Sequence, residues 1–318
     1  MIITNNTGVA DYIYEMLKEA NESHKPMEEF EISVTESTKE VTPLVLSRRH
    51  SNEIEIDCQD IANTGFGTKE HEAVEKKAVE LGYETEKELH LPLTLPNGIS
   101  FVMYGKLDLY KADEKTLRDY KTCKEATYNK NSSGQDDEWD RQTTLYNTIL
   151  DITKPSWYKG TEHRMVDAHI KDISAVGNAK RGLPTDSLRT IEYSIPTEEE
   201  RRDAIESVKS RFMEYLRYKD VPDDELPLCS AKYRYAELKY KIYGLNKDGS
   251  VKKTAERGHA NYDTAREAVE AFRKWDYTEN DHVIQEVGGE SIKCRYYCDC
   301  RSVCPYAKKM REENNWNV

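Results

Sequence analysis

The run DYIYEMLKEA at 11–20 repeats apolar positions every three or four residues and predicts a helix. A second helix is expected from near Thr68 through KEHEAVEKKAVEL, where Ala73, Val74, Ala78 and Leu81 give one apolar side. The pattern then switches to alternation in KELHLPLTLPNGISFVMYGKLDLY, with Asn97-Gly98 as a turn, so a meander of strands follows. DDEWDRQTTLYNTILDI reads as a helix and EHRMVDAHIKDIS as a strand. Thr197 and Glu200 form a capping-box signature that opens a long helix with Ile205, Val208, Phe212 and Tyr215 as its buried stripe. The end of the chain differs in character: the lysine- and tyrosine-rich KYRYAELKYKIYGLNKDGSVKK, a helix TAREAVEAFRKW, then a cluster of cysteines. Helices alternating with a meander indicate an α/β or α+β domain. We divide the chain into a helical and irregular segment at 1–60, a core at 61–225 and a basic, cysteine-bearing region at 226–318.

The meander contains an anomaly. In GKLDLYKADEKTLRDYKTC, Asp108 and Asp119 fall in the middle of two strands, where a half-buried sheet avoids charge. A hairpin turning between Asp113 and Glu114 opposes Tyr110 to Leu117, Asp108 to Asp119 and Lys106 to Lys121. Opposed carboxylates about 5 Å apart repel by about 0.8 kcal/mol in water and by several times that near an interior. A divalent cation relieves that repulsion, and hard oxygen donors favour Mg²⁺ or Mn²⁺. Lys121, two residues beyond Asp119, can orient water or stabilise charge on a phosphate oxygen. A solvated hairpin face in a charge-rich chain is the plainer alternative.

Two further segments bear on that choice. GTKEHEAVEKK puts His71 on the helix ahead of the meander, with Glu72 and Glu75 nearby. WDRQTTLYNTIL places Gln142 and Tyr146 four apart, on the face of Trp139 and Ile149.

Formal charge changes the picture little. At −12 the chain is no basic coat for nucleic acid, yet acidic outer helices are compatible with an enzyme that cups DNA locally. Lys232, Arg234, Lys239 and Lys241, interleaved with Tyr233, Tyr235 and Tyr240, could meet phosphates and bases, or could be an ordinary solvated strand pair. The lack of a signal-peptide pattern or a long apolar run leads to the expectation of a cytoplasmic protein (host cytoplasm if phage-encoded) without a membrane partner.

The chain has seven cysteines, and four crowd into CRYYCDCRSVC at 294–304. In a reducing compartment such crowding reads as metal ligation before disulfides. Cys294, Cys298 and Cys304 need a distant fourth ligand, for which Cys229 and Cys58 are the candidates. Cys300 is too close to Cys298 to share one centre comfortably, and Cys123 reads as a packed strand residue.

His71, GKLD at 105–108, DYKT at 119–122 and Gln142-x-x-x-Tyr146 occur in an order that resembles the RecB-like branch of the PD-(D/E)XK nuclease superfamily, which includes phage-type and CRISPR-associated exonucleases. The resemblance covers about residues 65–150. It implies a restriction-endonuclease-like mixed sheet flanked by helices. It further implies metal ligation by His71, Asp108, Asp119 and the carbonyl of Tyr120, a catalytic Lys121, and support from Gln142 and Tyr146. Glu88 is a weaker candidate for the site's edge. Similar nucleases hold a [4Fe–4S] cluster through one distant and three C-terminal cysteines, which favours Cys229 with Cys294, Cys298 and Cys304, the cluster stapling the far end of the chain; Zn²⁺ is the alternative.

The expected activity is therefore metal-dependent hydrolysis of DNA, at single strands or duplex ends, in recombination or repair. Two alternatives stand beside it. One is a catalytically silent nuclease fold that binds DNA or a recombination or repair partner protein. The other is a zinc-dependent binding protein with an incidental hairpin.

Overall fold

In the computed structural model, residues 1–22, 27–234, 239–256, 262, 264–287 and 291–314 are described. The chain opens with β1 (Ile2–Thr4), α1 (Asp11–Glu22), β2 (Glu31–Ser33), α2 (Val34–Ser37), α3 (Val41–Arg49) and β3 (Glu55–Asp57). β1 and β3 form a small parallel pair of their own. The long helix α4 (Cys58–Glu80) starts at Cys58, where the Asp57 carboxylate accepts the Gln59 N–H.

The helix begins well before the expected start near Thr68 and runs through Gly65 and Gly67. Here they are points of contact. A Cβ on Gly65 would lie 2.3 Å from Leu17 Cδ2, and one on Gly67 would lie 2.8 Å from Thr122 Oγ1. The helix thus crosses two neighbours at glycines that let it come close. At its other end Leu81 does not join the apolar side; it is exposed.

The meander follows as β4 (Glu84–Thr94), β5 (Ser100–Lys111) and β6 (Thr116–Cys123). Gly98 takes the left-handed conformation (φ 85°) in the turn between the first two. Then come α5 (Glu125–Ser132), α6 (Glu138–Thr153), β7 (His163–Ile170), α7 (Ala175–Lys180), β8 (Leu188–Tyr193) and α8 (Glu198–Tyr218). The α8 start carries the full capping box of Thr197 and Glu200. Val208, Phe212 and Tyr215 are buried as expected, and Phe212 stacks on Phe101 of β5 with ring centroids 4.1 Å apart.

The strands make one mixed sheet in the order β2-β5-β6-β7-β8, with β4 also on β5. β2/β5 and β6/β7 run parallel, and the other pairs antiparallel. β5 is the pivot. β4 occupies one edge from Ser100 to Tyr110, with no pair at Asp108. The other edge is shared: β2 pairs Val102–Tyr104, and β6 pairs Leu109–Lys111. Between them, residues 105–108, GKLD, have no strand partner on that edge among the described residues.

Contacts divide the chain into Met1–Val221 and Pro222–Val318. The first sixty residues lie in the first unit and supply β2 to its sheet. The second unit holds α9 (Ala231–Arg234), β9 (Lys239–Leu245), β10 (Val251–Ala255), α10 (Ala265–Lys274), β11 (His282–Val287) and α11 (Pro305–Asn314). β10-β9-β11 form an antiparallel sheet, with Ile242 and Ala268 buried. Of the basic and aromatic tract, Tyr235 lies outside the described residues, while Lys239 and Lys241 alternate along β9 with Tyr240 and Ile242. Among the described residues no helix is long and apolar enough to cross a membrane.

Candidate active site

The unpaired stretch of β5 is where the chemistry gathers. The hairpin has the expected register, with Tyr110 opposite Leu117, but its ladder ends at Leu109↔Arg118. The expected strand pairs Asp108/Asp119 and Lys106/Lys121 are not formed: β6 parts from β5 after Arg118, while its other edge stays paired with β7 throughout, Asp119 with Val166 and Lys121 with Ala168. Lys106 instead lies opposite Glu88 and forms an ion pair with Glu86. Where the ladder stops, the Asp108 side chain takes over, with Oδ2 accepting the Tyr120 N–H at 3.0 Å. An acidic side chain occupies a position that backbone would otherwise fill.

Asp119 is buried at 1% exposure. Lys121 Nζ lies 2.8 Å from its Oδ2 as an ion pair. Asp119 Oδ1 has no hydrogen-bond partner among the described residues. Burial pushes the Asp119 carboxyl up to about 6; Lys121 opposes that rise and the Asp108 charge adds to it. For Lys121, burial alone would lower the pKa, but the charges of Asp119 and Asp108 outweigh it and the ammonium is held. Two acids and a lysine therefore act on one another here, with Asp119 short of partners.

α4 brings His71 to the same place. Its Nε2 donates to the Tyr120 carbonyl at 2.5 Å, its Nδ1 is 3.9 Å from Asp108 Oδ2, and its ring meets the Tyr120 ring edge-on at 5.1 Å. On α6, Gln142 Nε2 donates to the Tyr146 phenol oxygen at 3.1 Å. Tyr146 is buried, and burial, followed by the Asp119 and Asp108 charges, drives its pKa up. It reaches this position over Gly105, where a Cβ would come within 2.9 Å of the Tyr146 ring. His71, Asp108, Asp119, Tyr120, Lys121, Gln142 and Tyr146 thus share one neighbourhood.

Other expected neighbours lie apart from it. Glu88 is exposed on the edge strand, accepting from the Tyr104 hydroxyl at 3.4 Å. Glu72 pairs with Lys69, and Glu75 accepts from Thr85. Sequence reasoning missed Glu70 and His169. Glu70 Oε1 accepts from both the Tyr120 phenol and His169 Nδ1. Adjacency to His71 was the available signal for Glu70; nothing in the sequence pattern of β7 marks His169.

Whether these groups suit a divalent cation can be judged from their contacts. Among the described residues no three His, Cys, Asp or Glu side chains close into a ready-made metal cage. His71 and the Tyr120 carbonyl, both candidate donors, are bonded to each other. In favour stand the buried Asp119 carboxylate, whose Oδ1 has no hydrogen bond, and a donor set of carboxylates, imidazole and carbonyl, which suits Mg²⁺ or Mn²⁺.

Among the described residues of the second unit no cysteine cluster closes into a metal site either, and none of the seven cysteines is in a disulfide. Cys300 is buried, and its thiol and N–H donate to Cys298, bringing the Cys298 thiol down to about 7 against the effect of burial. Cys294 and Cys304 both feel the Cys298 charge, and Tyr233 feels Cys298 and Cys229. Cys58 belongs to the first unit, packed with Ile3 and Leu17 and bonded to Asn5. Cys123 packs against the Trp139, Val166 and Ala168 cluster, a strand residue as expected.

No family model matches the chain, and no curated protein does. Among solved structures, the protein designated SSO0001 is similar over 70% of this chain and 90% of its own, with 16% identity and a TM-score of 0.42. A phage-related exonuclease from Haemophilus somnus 129PT is similar over 48% of this chain and 70% of its own, with 17% identity and a TM-score of 0.28. Both are distant, and neither assigns a role to any residue here.

Proposed function

We propose that the chain is a metal-dependent DNA nuclease of exonuclease type, acting on single strands or duplex ends. The observation that carries this reading is Asp119: a buried carboxylate whose Oδ1 has no hydrogen bond, paired with Lys121 and close to Asp108, at the gap along β5. A fold that needed only stability would place an apolar residue there, because an under-partnered buried charge costs several kcal/mol, roughly.

His71, Asp108, Asp119 and the Tyr120 carbonyl would hold Mg²⁺ or Mn²⁺. Bound there, the cation would polarise a phosphodiester and make a nearby water more acidic. Lys121 keeps its proton, so its ammonium donates to a non-bridging phosphate oxygen or orients the attacking water. Tyr146, fixed over Gly105 and bonded by Gln142, closes the α6 side and presents polar atoms to the substrate backbone. In the net reaction water adds across a phosphorus–oxygen bond, leaving a phosphate monoester and a hydroxyl.

In the second unit, Cys229, Cys294, Cys298 and Cys304 would hold a [4Fe–4S] cluster, or Zn²⁺, with Cys300 donating to Cys298. The unclosed donor set in the first unit favours one competing reading, a silent nuclease fold that binds DNA or a recombination or repair protein.

Labelled linear and closed-circular DNA, incubated with the protein and Mn²⁺ or Mg²⁺, separates the two readings. Shortening of linear DNA that EDTA stops supports the nuclease. Tight DNA binding without cleavage in either metal supports the silent fold.

A further inference from the structure

Tyr120 is gripped at four points. Asp108 accepts its N–H, His71 donates to its carbonyl and packs on its ring, and Glu70 accepts from its phenol. Glu70 and His71 are consecutive on α4, so one helical turn holds both the side chain and the backbone of a single β6 residue. Glu70 is in turn held by His169 of β7, whose Nδ1 donates to the same Oε1 at 2.6 Å. Glu70 and His169 are outside the proposed donor set.

We propose that Glu70, braced by His169, is a positioning residue: through the Tyr120 phenol it sets where the Tyr120 carbonyl, Asp119 and Lys121 sit relative to His71. This rests on the metal-dependent reading given above. The need for such a brace follows from the sheet. Beyond Arg118, β6 has left the β5 ladder, and its backbone is held there by two side chains instead, Asp108 at the Tyr120 N–H and His71 at the Tyr120 carbonyl. Strand pairing of residues 119–121 comes from β7. A phenol anchored to a carboxylate on α4 adds a further fixed point where the β5 ladder is missing.

Groups that hold metal ligands in place typically change metal affinity by about 10–100-fold when removed. The test is Mn²⁺ binding to DNA-free protein, read from the electron paramagnetic resonance signal of unbound Mn²⁺. Wild type is compared with Tyr120→Phe, Glu70→Ala and Glu70→Gln, with thermal unfolding of the same samples. Tyr120→Phe and Glu70→Ala are expected to weaken binding by about tenfold or more, whereas Glu70→Gln, which keeps an acceptor oxygen, stays closer to wild type. If wild type binds Mn²⁺ and both deletions match it within about twofold, against the tenfold or more expected of a ligand-holding group, the brace is refuted while the nuclease reading stands. If wild type binds no Mn²⁺, the metal reading falls and the brace with it. Should Tyr120→Phe fail to fold, His169→Ala, which reaches Tyr120 through Glu70, is judged by the same criterion.

Discussion

The ring of Tyr146 lies over Gly105 so closely that a β-carbon there would come within 2.9 Å of it. A helix residue and a strand residue of the candidate site thus depend on each other, and a side chain at 105 would also meet Val34 Cγ2 at 3.2 Å.

Gly105→Ala is therefore expected to destabilise the protein. Gly→Ala at an unstrained position usually adds about 0.4–1 kcal/mol of stability, whereas overpacking costs about 1–3 kcal/mol. Urea unfolding is expected to show a loss, and cleavage to fall at least tenfold, by roughly the 1.4 kcal/mol that a decade in rate represents. A stabilised, fully active variant would show that Tyr146 has no fixed position.

The crossing of α4 over β6 makes a second prediction. Gly67→Ala should destabilise by roughly 1–3 kcal/mol, because its methyl meets Thr122 Oγ1. In a Thr122→Ala background that oxygen is gone, and the same change should cost less than half as much. Additive effects in the double-mutant cycle would contradict the contact.

Asp119 sets a pH dependence. Its folded pKa, about 6, stands above its ordinary value of 3.8. A raised folded pKa contributes stability that is fully present below the unfolded pKa and lost as pH rises through the folded one. Metal-free protein in EDTA should thus lose stability between about pH 4 and pH 7 relative to Asp119→Asn, by on the order of 3 kcal/mol for a shift of about two units. Equal pH profiles for the two proteins would show that Asp119 is not strained when metal-free.

Iron and zinc analysis of anaerobically purified protein tests the cysteine set. A brown solution with about four iron atoms per chain is expected, lost on Cys298→Ala. Colourless protein with one zinc would assign the thiols to zinc, and metal-free protein would leave them as plain thiols.

Much of this was legible from spacing. Alternation and the Asn97-Gly98 turn located β4 and β5, and the Asp108/Asp119 anomaly located the site, because charge in a strand interior is visible one residue at a time. What escaped was tertiary. The close approaches of Gly65 to Leu17 and of Gly67 to Thr122 are set by other elements, and no local pattern carries them. The hairpin register predicted an Asp108/Asp119 pair, but could not show that the β5/β6 ladder ends one step earlier, at Leu109 and Arg118. Glu70 and His169 meet across ninety-nine positions, a separation no local pattern encodes.

The central claim, that Asp108 and Asp119 act together on one divalent ion, is tested most directly by titrating Mn²⁺ into labelled linear DNA with wild type, Asp108→Ala and Asp119→Ala. The account predicts cleavage by wild type, and a loss of at least about 100-fold in each variant, as removal of a charge-stabilising group in an active site typically gives. Degradation at the wild-type rate by either variant would contradict it.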